Sequence, residues 1–105
     1  MIEVEYSNNG SKYYVSLNGH ADYADYGKDI VCASASMLIH SFAVMVNDYD
    51  VADNIKLEIL FITDGIDEIE YEDTKGILDK CFEMLIKGLK DLSNNYPNHI
   101  KIVEK

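Results

Sequence analysis

The chain opens with Ile2-Glu3-Val4-Glu5-Tyr6-Ser7-Asn8-Asn9-Gly10-Ser11-Lys12-Tyr13-Tyr14-Val15-Ser16-Leu17-Asn18, and this stretch decides the fold class. Ile2, Val4 and Tyr6 alternate with Glu3 and Glu5, while Tyr13, Val15 and Leu17 alternate with Tyr14, Ser16 and Asn18. A side-chain period of two belongs to a strand with one buried face, and Asn-Gly between two such runs is a strong hairpin signal. Two strands, over about residues 1–7 and 12–19, are therefore expected.

Downstream the period changes. From Asp29, the residues Val31, Ala35, Leu38, Phe42, Met45 and Tyr49 fall within about 40° of one line along a helix at about 100° per residue, and this stripe is expected to face the core. Ile30, Met37 and Val44 form a second apolar line about 100 to 140° away. A helix apolar on two sides is either sandwiched within the fold or used in self-association, and homodimerisation is the reading given to that second line. Ile55 to Thr63 is apolar at nearly every position, which predicts a central strand buried on both faces. Asp64-Gly65 is a turn dipeptide, and Ile66, Ile69 and Tyr71 mark a more acidic strand behind it. A second helix carries the stripe Leu78, Cys81, Phe82, Leu85, Leu89 and Leu92 and stops at Asn94-Asn95-Tyr96-Pro97, because proline cannot continue a helix. Ile100, Ile102 and Val103 close with a short strand. The order ββαββαβ describes one α+β domain over residues 1–105, a mixed or antiparallel sheet covered by two helices.

The 19 acidic residues against 9 basic ones give a formal charge of −10. Such a surface repels a phosphate backbone and anionic lipid, so neither nucleic acid nor membrane is expected as a partner, and a basic protein is. The start Met1-Ile2-Glu3-Val4-Glu5 lacks the pattern of a signal peptide, and no stretch is expected to reach bilayer-spanning length, so the cytoplasm is the expected location. Cys32 and Cys81 fit neither paired zinc spacing nor a Cys-x-x-Cys redox motif.

Chemistry concentrates in the aperiodic segment Gly19-His20-Ala21-Asp22-Tyr23-Ala24-Asp25-Tyr26-Gly27-Lys28-Asp29. His20 stands at its start, and Cys32 follows its end in the first turn of the helix. Unpaired N–H groups and the helix dipole stabilise a thiolate there, and a nearby imidazolium adds to the effect. Relative to the core line through Val31, Cys32 lies at about 100°, Ser36 at about 140°, Asp29 at about 160° and His40 at about 180°, all away from the core. Cys81 sits inside its stripe and reads as a small hydrophobe. Among the histidines, His40 is a rise of about 12 Å from Cys32 along the helix, too far for direct proton transfer. His99 reads as a surface residue with no nucleophile nearby, which leaves His20 as the base. Asp22, Tyr23, Asp25 and Tyr26 are either solvated loop residues or substrate contacts. One thiolate and one imidazole do not make a zinc site, and Gly19 and Gly27 do not make a phosphate loop, so no metal or cofactor is expected.

Gly19-His20-Ala21, then Tyr26-Gly27-Lys28-Asp29-Ile30-Val31-Cys32-Ala33 with Ser36 beyond, resembles the signature of the ribosomal-processing cysteine protease family Prp. The resemblance covers essentially the whole chain, because Leu85, Gly88-Leu89, Tyr96-Pro97 and Ile100 also resemble the family's second helix and last strand. It implies a homodimeric α/β fold and a Cys/His protease that removes the short N-terminal extension of large-subunit ribosomal protein number twenty-seven. It places the nucleophile on Cys32, the general base on His20, supporting roles on Asp29 and Ser36, and a substrate-covering loop on Gly19, Ala21, Tyr23, Tyr26 and Gly27. Ser34 and Ala35 depart from the family pattern, which has alanine and a larger apolar residue there. In the acyl transfer so implied, N–H groups at the helix start are expected to stabilise the oxyanion, and Asp29 to cap the helix, orient His20, or do both. Two other classes remain: a non-catalytic acidic binding module in ribosome assembly, and a thiol redox or transfer protein, the latter weakened by the lack of a nearby resolving cysteine.

Overall fold

Gly10, at φ +63°, turns β1 (Ile2–Asn9) back on β2 (Lys12–Asn18) in an antiparallel register running from Glu3 opposite Asn18 to Asn9 opposite Lys12. The computed structural model describes residues 1–105 and continues with α1 (Ile30–Val51), β3 (Lys56–Ile62), β4 (Ile66–Glu72), α2 (Asp79–Asn95) and β5 (Ile100–Glu104). The five strands form one sheet in the order β3-β4-β2-β1-β5, antiparallel except for β5, which runs parallel to β1. The fold is thus the expected α+β arrangement with a mixed sheet.

The alternation anticipated from the first strands places Ile2, Val4, Tyr6, Tyr13, Val15 and Leu17 on the buried face, joined by Ile69 and Tyr71 of β4 and Ile100 of β5. Both helices lie in the layer above that face, where Phe82 of α2 meets Tyr13 and Phe42 of α1 edge-on at 5.2 and 5.9 Å between ring centres. Gly88 of α2 lets the helices approach, since a Cβ there would stand 3.1 Å from Leu38 Cδ2.

Three expectations are corrected. The buried residues of α1 are Val31, Ala35, Ile39, Phe42, Ala43 and Val46, whereas Leu38, Met45 and Tyr49 are only half-buried. The core line is therefore rotated by roughly 50° toward Cys32, because α1 seats one flank on the sheet and turns Leu38 toward α2. Second, β3 is an edge strand, not a central one: Ile59, Leu60 and Phe61 are all exposed. Its apolar run from Ile59 to Ile62 lies on an uncovered edge with a bulge between Leu57 and Ile59, and the alternating β4 takes the inner place between β3 and β2. Third, α1 is long and apolar enough to cross a membrane by length and composition. It combines a row buried on the sheet with the exposed row Ile30, Met37, Val44 and Val51 on the opposite side.

Candidate active site

The end of β2 and the start of α1 are drawn together by the loop between them. Gly19, at φ +100°, donates its N–H to Gly65 O at 2.7 Å and sits so close to the chain start that a Cβ would fall 2.5 Å from Met1 O. No other residue type fits that position without moving a strand end. The tie binds the His20 side of the loop to the β3–β4 turn, and the His20 imidazole lies over Gly65: a Cβ on Gly65 would stand 2.9 Å from His20 Nε2.

Asp29 organises the other side. Its Oδ1 accepts the Val31 and Cys32 N–H groups at 3.0 and 2.9 Å, and its Oδ2 accepts the Tyr23 and Ala24 N–H groups at 2.9 and 3.4 Å. Asp29 is thus the N-cap of α1 and also the anchor of the loop, and His20 is not among its partners. Burial of the Asp29 carboxyl opposes ionisation, and the four N–H bonds outweigh it and hold the group below its ordinary value.

Cys32 is half-buried in the first turn, as the rotated core line requires. Its Sγ accepts one hydrogen bond, from the Ala21 N–H at 3.2 Å. Because that nitrogen is joined to the His20 carbonyl carbon, covalent geometry holds His20 Cα within about 6 Å of the sulfur. Burial pushes the Cys32 thiol up, the Ala21 N–H pulls it down, and the Asp29 and Asp22 carboxylates push it further up. The expected depression at a helix start is therefore reversed. The main physical reason is burial, and the capping carboxylate adds to it by offsetting the positive end of the helix at the first-turn amides. The same cap corrects the expected oxyanion donors. Val31 and Cys32 N–H are held by Asp29 Oδ1, and the Ala33 N–H by Asp29 O at 3.0 Å.

His20, Cys32, Asp29 and Ser36 line one open cleft of about 820 Å³ between the loop, α1 and the β3–β4 turn, with Gly19, Tyr26 and Gly27 at its rim. Ala21 and Tyr23 do not line it. Ala21 is buried beneath the loop, and Tyr23 turns away to pack edge-on against Tyr96 and His99 at 5.3 and 5.2 Å. His40 borders the cleft with Asp67, whose Oδ1 accepts the Thr63 N–H at 3.2 Å. Burial pushes the Asp67 carboxyl up, against the Thr63 N–H and the His40 charge. Asp22, Asp29, Asp64 and Asp67 face the cleft without a lysine or arginine among its lining residues. Cys81 is half-buried against the core, consistent with a packing residue.

Two residues escaped sequence reasoning. Gly65 was legible only as half of a turn dipeptide, although it is the surface on which His20 rests. His99, expected at the surface, is half-buried, and its Nδ1 lies 2.9 Å from Ala21 O. Nothing in its local sequence marks that contact, which joins residues far apart in the chain.

This arrangement has counterparts. The family model described as cysteine protease Prp matches residues 1–101. The chain belongs to the Prp cysteine protease family. The ribosomal processing cysteine protease Prp of Mycoplasma genitalium is 30% identical over 105 residues, which span 100% of this chain and 97% of that protein. The crystal structure of the S. aureus ribosomal processing protease Prp with a covalently linked product peptide matches at a TM-score of 0.81 and 27% identity, covering 100% of both chains. A second S. aureus Prp structure, with a substrate peptide, has the same fold at a TM-score of 0.68 and 24% identity over 100% of both chains. As a Prp family member the chain is a cysteine protease of ribosomal protein processing, and the α+β fold is the Prp fold.

Proposed function

We propose that this Prp protein removes the short N-terminal extension of large-subunit ribosomal protein number twenty-seven, with Cys32 as nucleophile and His20 as general base. The observation that carries the reading is the Ala21 N–H bond to Cys32 Sγ, which keeps the His20 backbone within about 6 Å of the sulfur, with both residues lining one cleft. Because the thiol is held above its ordinary value, the resting protein keeps the proton on sulfur. His20 takes that proton as sulfur attacks the scissile carbonyl carbon. The carbon–nitrogen bond then breaks, the imidazolium protonates the departing amine, and His20 next takes a proton from the water that hydrolyses the thioester. Asp29 supports the reaction by holding the loop on the helix start, and Ser36, one turn on from Cys32, offers a hydroxyl to the bound peptide.

The four carboxylates of the cleft and the net charge of −10 suit a basic ribosomal protein, met in the cytoplasm where ribosomes are built. A homodimer is part of the same proposal, with the exposed row Ile30, Met37, Val44 and Val51 of α1 as its contact. The test incubates wild-type and Cys32→Ala protein with the extended ribosomal protein and follows its mass. Loss of the extension with wild type alone supports the proposal; equal cleavage by both overturns it, and no cleavage by either overturns it and favours the acidic binding module.

A further inference from the structure

We infer that His99 is a positioning residue for the reaction: it grips the Ala21 carbonyl and so holds the Ala21 N–H on the Cys32 sulfur. The inference rests on the protease reading above and adds a residue from the opposite end of the chain to it. A carbonyl oxygen only accepts, so the 2.9 Å contact requires that His99 Nδ1 carry a proton and donate it to Ala21 O. Ala21 is 1% exposed, and its other polar group, the N–H, is the single donor to Cys32 Sγ. One residue therefore spans both contacts. With its carbonyl fixed by His99 and its N–H fixed on sulfur, it has no freedom to turn, and His20 immediately before it is held in the same place.

His99 is itself well anchored. Its carbonyl accepts the Ile2 N–H at 2.9 Å, its N–H donates to Tyr96 O at 2.9 Å, and its ring meets the Tyr23 ring edge-on at 5.2 Å. Tyr23 in turn gives its N–H to Asp29 Oδ2, the carboxylate that caps Cys32. The turn before β5 thus braces the loop from outside the cleft while Asp29 braces it from within. The chemical consequence lies in the thiol. A donor aimed at sulfur favours the thiolate, and here it is the one hydrogen bond that counters burial and the neighbouring carboxylates.

The test uses two substitutions that keep the site filled. His99→Phe retains a flat ring against Tyr23 and removes the donor, whereas His99→Asn retains a donor near the Nδ1 position. Alkylation of Cys32 is followed against pH with Cys81→Ala as the common background, peptide cleavage is followed in parallel, and thermal melting reports stability. The expected result for His99→Phe is a rise of roughly one pH unit in the alkylation midpoint and about a tenfold fall in kcat with KM little changed, both largely restored in His99→Asn. Alkylation midpoints equal to wild type in both variants overturn the inference, as does an equal loss in both that follows the loss in melting temperature. The alkylation readout does not depend on the substrate, so failure of the protease reading, seen with Cys32→Ala, is distinguishable from failure of this one.

Discussion

Burial and the Asp29 and Asp22 carboxylates hold the Cys32 thiol above the ordinary value of about 8.5. Alkylation of wild-type protein is accordingly expected to have its midpoint above that value. Asp29→Asn removes a charge while leaving a side-chain oxygen for the helix cap, so the midpoint is expected to fall, opposite in sign to the effect of losing the Ala21 donor. The same substitution reads out in acid. Asp29 is held below its unfolded value of about 3.9, so its stabilising effect is fully present above that pH and is lost as pH falls through the folded value. Melting temperatures of wild type and Asp29→Asn are therefore expected to converge below about pH 4. Gly65→Ala offers a third probe at this scale, since a Cβ 2.9 Å from His20 Nε2 must push the imidazole off its seat. Cleavage by Gly65→Ala is expected to fall by about two orders of magnitude, well beyond the fraction of protein unfolded in a matched melting curve. That Cys32, His20 and Asp29 meet at one cleft was legible in sequence, because strand end, loop and helix start each leave a local signature. Gly65 and His99 were not, because their roles arise from contacts across the fold that no local pattern encodes.

The secondary structure followed from periodicity wherever one face is buried, as in β1, β2 and α2. It misled where a segment is apolar all round, since periodicity then cannot say which side the core takes. In α1 two rows separated by roughly 50° compete for the core, and the choice is settled only by packing against the sheet and α2. Substitutions discriminate the two. Ile39→Ala removes a fully buried side chain and is expected to cost about 3 kcal/mol in chemical unfolding, more than Leu38→Ala, whose side chain is only half-buried against Gly88. The reverse ranking would restore the stripe read from sequence. The β3 run shows the same ambiguity in a strand, where an apolar edge and a buried centre have identical composition.

At the scale of the whole molecule, the exposed apolar surface is the unexplained remainder of a chain that otherwise buries its hydrophobic residues on one side of one sheet. Ile30, Met37, Val44 and Val51 repeat every seventh position of α1 and are between 52% and 78% exposed, forming a row along the helix side opposite the sheet. A second copy of the same row is a fitting cover, because a two-fold contact pairs one patch with itself and needs no second surface. On that account wild-type protein is expected to sediment at twice the chain mass, and a Met37→Glu, Val44→Glu variant at the chain mass with its helix content retained. If the variant stays dimeric, the contact belongs instead to the exposed β3 edge at Ile59, Leu60 and Phe61, where an apolar strand without an outer neighbour is open to pairing. Phe61→Glu would then be the dissociating change. Wild type that sediments at the chain mass at every concentration overturns both contacts, and leaves the apolar row of α1 without a partner of its own kind.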